Sequence, residues 1–162
     1  MVALIEGTKA PSFSLKSIAG KQHNLHETLK SKPAVVLAFF KVSCPVCQLS
    51  FPYLERLHRS YPTLPIWGIS QDDVDATEAF AKMYGSTFPM LIDDSLESTV
   101  NYDLTNVPSI FLVTQDQRVA MTTVGFVKAD LEKLNRELAG LADLTVVPLF
   151  TSADEVPELK PG

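Results

Sequence analysis

Residues Ala34 to Phe40 read Ala-Val-Val-Leu-Ala-Phe-Phe, an apolar run with no alternation. A half-exposed strand would alternate apolar and polar side chains, and a surface helix would need a longer segment with a polar face. A short unbroken run bounded by Lys32-Pro33 and Lys41 fits a strand covered on both sides. Such a strand must lie inside a sheet, with other layers above and below it. The rest of the chain has to supply them.

It does so in alternation. Pro45 to Tyr61 reads as a helix with Val46, Leu49, Phe51, Leu54 and Leu57 among its apolar positions. Pro52 predicts a kink there, because proline lacks an amide donor and crowds the preceding turn. Pro65 to Ser70 is a second buried strand, and Asp72 to Tyr84 a helix with acidic residues in its first turn. Pro89 to Ile92 is a short strand and Leu96 to Tyr102 a short helix. Ser109–Val113 and Val119–Val124 are strands separated by Gln115-Asp116-Gln117, a spacing that fits an antiparallel hairpin. After Gly125, Lys128 to Leu141 closes the chain as an amphipathic helix.

Upstream, Ala10-Pro11, Phe13 and Leu15 form an extended segment. Gly20 marks a hairpin turn, and His26 to Lys30 one helical turn. The predicted class is α/β, a central mixed sheet with helices on both faces. One domain is expected over 1–145, followed by an extended arm, 146–162, rich in proline and acidic residues.

Charge narrows the partners. Fourteen basic against nineteen acidic residues leave a net −5, and no Lys/Arg cluster appears, so nucleic acid is not an expected partner. No apolar run approaches the roughly 20 residues of a membrane helix. The visible N-terminus lacks a basic start followed by an apolar stretch, which predicts a cytoplasmic protein, or an exported or membrane-tethered one if a leader has been removed. A monomer is expected.

The chain has two cysteines, in Cys44-Pro45-Val46-Cys47. They stand where the buried strand ends and a helix begins. Unpaired amides and the positive end of the helix dipole favour a thiolate at such a place. Cys44, at the helix lip, is the expected nucleophile, and Cys47, one turn deeper, the resolving thiol. Three other readings stand beside this one: inert buried cysteines, half of a zinc site, or a structural short-loop disulfide. Zinc would need two further ligands, and only His23, His26 and His58 are on offer. No metal and no cofactor are expected. Further on, Asn106-Val107-Pro108-Ser109 places a proline directly before an apolar strand, either as a cis peptide or as an ordinary trans proline at a strand start.

Together these residues resemble the thioredoxin superfamily, and more narrowly the TlpA-like and AhpC/TSA-related redoxins. The resemblance spans about Lys9 to Leu141. It is carried by Ala10-Pro11-x-Phe13-x-Leu15, the strand before Cys44-Pro-Val-Cys47, Pro52, Val107-Pro108 and Val124-Gly125. It implies a thioredoxin-like fold with a redoxin-type N-terminal extension and βαβ insertion. It also implies thiol-disulfide exchange with disulfide-containing or dithiol proteins, and an upstream thiol reductant. Val107 and Pro108 would form the substrate platform beside the dithiol.

Four positions depart from the family pattern. Ser43 stands where tryptophan is usual, Ala38 replaces the buried acid of thioredoxin, and Ser50 replaces the glutamate of TlpA-like reductases. Lys41 occupies the Thr/Ser position of peroxidatic redoxins, where it is either a solvated charge or a thiolate stabiliser. A thiol peroxidase using Cys44 is the alternative function, although Leu37 and Lys41 break the Pro-x-x-x-Thr-x-x-Cys pattern. A Sco-type metal carrier is a third, but the spacing is C-x-x-C and no histidine follows His58.

Overall fold

A computed structural model describes residues 3–162. Its centre is the apolar run itself: strand β3 (Ala34–Phe40) is buried at every position. β3 pairs in parallel with β4 (Ile66–Ser70) and antiparallel with β6 (Ser109–Thr114). β5 (Met90–Ile92) adds beside β4 in parallel, and β7 (Val119–Val124) beside β6 antiparallel. The sheet is mixed and five-stranded, in the order β5-β4-β3-β6-β7.

Alternation along β3 divides the core. Val36, Ala38 and Phe40 face helices α2 (Pro45–Ser60), α3 (Val74–Tyr84) and α5 (Lys128–Ala142), which contribute Phe51, Leu54, Phe80, Leu131 and Leu134. Val35, Leu37 and Phe39 face the other way, toward Leu25 and Leu29 of α1 (Leu25–Leu29) and toward Tyr102. Tyr102 follows α4 (Glu97–Asn101). Burying each such Leu or Phe stabilises by roughly 1.5–3 kcal/mol. Trp67 of β4 lies on this second side, buried against Phe13 at 6.1 Å and His23 at 5.2 Å. His23 belongs to the hairpin β1 (Ser14–Lys16) and β2 (Gln22–Asn24), which Gly20 turns at a φ of 82°.

Three local differences from the sequence reading have simple causes. α3 begins at Val74 rather than Asp72, because the Asp73 side chain caps the helix by accepting from the Ala76 N–H at 2.8 Å. α4 loses Leu96 and Tyr102 to capping positions. α2 ends at Ser60 rather than Tyr61, because Tyr61 takes the C-cap position with a non-helical φ of −130°, its N–H donating to the Leu57 carbonyl at 3.0 Å.

Both irregular segments are tied down. Near the N-terminus, Gly7 and Ala10 donate backbone hydrogen bonds to Val119 and Gln117 at 2.8 Å each. At the other end, residues 146–162 run along α2 and α5. The Val147 N–H donates to the Tyr61 hydroxyl at 3.1 Å, and Leu149 is buried. Phe150 packs 4.7 Å from the Tyr53 ring. Arg56 grips Asp154 with two hydrogen bonds of 2.7 and 2.9 Å, which hold that carboxyl well below the usual carboxylate range. The arm then turns back, and β9 (Leu159–Lys160) pairs antiparallel with β8 (Phe126–Val127).

Candidate active site

Three loops meet at the carboxyl end of β3. The first is the strand-to-helix junction, residues 41–44. Its geometry is held from two sides: the Val42 N–H donates to Asp72 Oδ2 at 2.8 Å, and Gln48 Nε2 donates to the Val42 carbonyl at 2.9 Å. The Cys44 N–H closes a turn onto the Lys41 carbonyl at 3.2 Å. These contacts fix the direction in which α2 starts.

Cys44 is the N-cap of α2, with Pro45 in the first turn, where its missing N–H costs nothing. Its sulfur accepts from the Cys47 N–H at 3.2 Å, so a free helix-end amide points at it. Cys44 is half-buried and Cys47 fully buried. Burial, reinforced by the hydrogen bond to Cys44, pushes the Cys47 thiol well above the ordinary thiol range. Among the described residues, no carboxylate offsets this. Ala38 lies in the core, and the buried Ser50 hydroxyl donates to the Val46 carbonyl at 2.7 Å.

The second loop carries Val107 and the buried Pro108, joined by a cis peptide bond. The Val107 carbonyl accepts from Cys44 Sγ at 3.5 Å, which brings this loop against the dithiol. Ser109 supports it by donating its hydroxyl to the Asn106 carbonyl at 2.7 Å. The third loop follows β4 and supplies Gln71 and Asp72. Lys41, Gln71, Thr99, Asn106 and Val107 line a cavity of about 220 Å³ beside the dithiol. That is smaller than the roughly 300–1,000 Å³ of small-molecule sites. Lys41 is exposed at the rim. Among the described residues, no group of three or more His, Cys, Asp or Glu side chains comes together as a metal site, and no helix is long and apolar enough to cross a membrane.

The structure thus brings Cys44, Cys47, Val107 and Pro108 together, with Lys41 at the edge. Asp72, Gln48 and Ser109 went unnoticed in the sequence as supports. Asp72 looked like a helix-start acid, and only the folded chain shows its carboxylate serving an amide thirty residues earlier.

A dithiol on a helix start, packed against a proline loop at the carboxyl end of a central strand, defines a redoxin of the thioredoxin superfamily. Residues 7–122 match the AhpC/TSA family, and the chain belongs to it. Thioredoxin-like protein YneN of Bacillus subtilis (strain 168) is 28% identical over 138 residues, covering 82% of this chain and 79% of its own. Thiol-disulfide oxidoreductase ResA of Bacillus thuringiensis (strain Al Hakam) is 30% identical over 122 residues, 74% of this chain and 69% of its own. The thioredoxin domain of a thiol-disulfide oxidoreductase from Bacteroides vulgatus has the same fold. It superposes with a TM-score of 0.73 at 20% identity, over 83% of this chain and 98% of that one.

Proposed function

We propose that this protein is a thiol-disulfide oxidoreductase that exchanges disulfides with protein partners through Cys44 and Cys47. The observation that carries the reading is the placement of Cys44 at the N-cap of α2, between the Cys47 N–H and the Val107 carbonyl. Cys44, as thiolate, attacks one sulfur of a partner disulfide. That S–S bond breaks, one partner thiolate leaves, and a mixed disulfide forms. Cys47 then loses its proton and attacks Cys44 Sγ, releasing the second partner thiol. The partner has gained two electrons, and the Cys44–Cys47 disulfide is reset by an external thiol reductant.

In this reading Val107 and Pro108 are the platform along which the partner chain lies, and the adjoining cavity takes one of its side chains. Lys41 adds positive charge at the rim, and Lys41→Gln is expected to slow Cys44 alkylation about twofold. The protein works as a monomer in the cytoplasm; sedimentation and cell fractionation test these two points.

Reduction of insulin disulfides with a thiol reductant tests the function itself, with hydrogen peroxide consumption measured alongside. Insulin reduction that disappears in Cys44→Ser supports exchange. Peroxide consumption without insulin reduction would transfer the assignment to a thiol peroxidase. Limiting iodoacetamide should label Cys44, and preferential labelling of Cys47 would reverse the two roles.

A further inference from the structure

The arm does not stop at its anchors on α2. After β9 it crosses to the dithiol side of the molecule and lies on the loop proposed above as the platform. Asn106 Nδ2 donates to the Gly162 carbonyl at 3.1 Å. Gly162 rests so closely on Val107 that a Cβ built there would overlap the Val107 carbonyl oxygen. That oxygen is the one hydrogen-bonded to Cys44 Sγ.

The other side of the contact is also a glycine. Gly125, at a φ of 77°, would place a Cβ 2.7 Å from the Lys160 carbonyl oxygen and 2.9 Å from the Gly162 nitrogen. Any side chain at either position would hold the strand and the loop apart. The close approach of the arm to the site is therefore written into two residues without side chains.

We infer that residues 159–162 determine which disulfides reach Cys44, by occupying the backbone surface that an incoming protein chain needs. The inference rests on the reading of Val107 and Pro108 as the substrate platform. An extended partner adds to such a loop through main-chain hydrogen bonds and requires the Val107 backbone to be clear. A small disulfide requires only the half-exposed Cys44 sulfur. The arm thus discriminates by the amount of chain around the disulfide. Partners able to displace the arm are accepted, and those that bind the platform weakly are turned away. If the platform is clear in a tenth of the molecules, apparent affinity for an extended chain falls about tenfold from its intrinsic value.

The test uses the full chain and two substitutions outside the dithiol and its platform. Gly162→Leu forces the end of the arm away from Val107. Arg56→Ala removes its ionic anchor on α2. Cys44 is alkylated by iodoacetamide and by a maleimide-capped extended octapeptide. Gly162→Leu should react with the peptide reagent about three- to tenfold faster than the unsubstituted chain, with iodoacetamide rates unchanged. Arg56→Ala should shift in the same direction by a smaller factor. Equal reagent selectivity in all three proteins would overturn the inference, as would a parallel rise with both reagents, which would mean general loosening. Insulin and hydroxyethyl disulfide reduction run in parallel. Loss of both in every protein, with alkylation selectivity still shifted, would sink the oxidoreductase reading and leave the blocking contact standing.

Discussion

The rim of the site and its floor are one helical turn apart and opposite in make-up. At the rim, Cys44, Val42 and Val107 are partly exposed, and each takes part in a polar contact, with Asp72, Gln48 or another loop. At the floor, Cys47 is enclosed with Phe51, Ala38 and Ile110 in the apolar cluster under α2. The same element therefore leaves one sulfur partly exposed and buries the other. What differs is solvent, and its exclusion at the floor keeps the Cys47 thiol protonated.

The sharpest way to break this contrast is to remove either sulfur. Cys44→Ser should lower insulin reduction by at least about a thousandfold, as expected when a covalent nucleophile is lost. Cys47→Ser should instead leave the first attack intact and accumulate mixed disulfides visible by non-reducing mass spectrometry. If Cys44→Ser accumulates them equally, rim and floor are not distinct in reactivity.

Acidity separates the two next. The Cys47 thiol is held protonated by burial, so its reactive fraction grows as pH rises. Mixed-disulfide decay followed by stopped flow should quicken about tenfold per unit between about pH 6 and 8.5, below the ordinary thiol value. A flat profile would reveal a proton acceptor that neither Ala38 nor Ser50 provides.

Mechanical roles come third. On the floor, Phe51→Ala leaves a cavity and should cost about 3–5 kcal/mol of unfolding free energy in urea titration. At the rim, Asp72→Ala strips the Val42 N–H of its charged acceptor and should cost about 1–3 kcal/mol. Their signatures differ in a useful way. Phe51→Ala should preserve the preference of iodoacetamide for Cys44, whereas Asp72→Ala should narrow it by loosening the loop ahead of that residue. The smallest effect is expected from Ser109→Ala, which removes the hydroxyl contact to Asn106 and should cost about 0.5–1.5 kcal/mol.

The sheet was legible because β3 carries its own signal: seven apolar residues in a row have one home in an α/β chain. The dithiol was legible for the same reason, since its place at the end of that run made it a helix start. Boundaries slipped where a cap intervened, as at Asp73 and Leu96. Asp72 was hidden as a support of the rim because its pairing with Val42 spans thirty residues with no shared periodicity, whereas the Val107 loop was placed beside the dithiol by the family resemblance alone. The arm was the hardest to read. Its prolines and acids look the same in a loose tail and in a docked one, and only the Arg56–Asp154 pair, the Phe150–Tyr53 stacking and the β8–β9 ladder separate the two.

The position of Trp67 has an optical consequence. It is the chain's single tryptophan, 3% exposed, on the side of the sheet turned away from Cys47. Closing or opening a bond between Cys44 and Cys47 changes nothing in contact with its indole, so intrinsic emission should be nearly blind to oxidation. The same indole sits edge-on to His23, whose imidazole pKa is lowered by burial and by the nearby Lys21 charge. Emission from this protein is therefore a gauge of the β1–β2 hairpin and of unfolding, and its redox state has to be followed by thiol counting or mass.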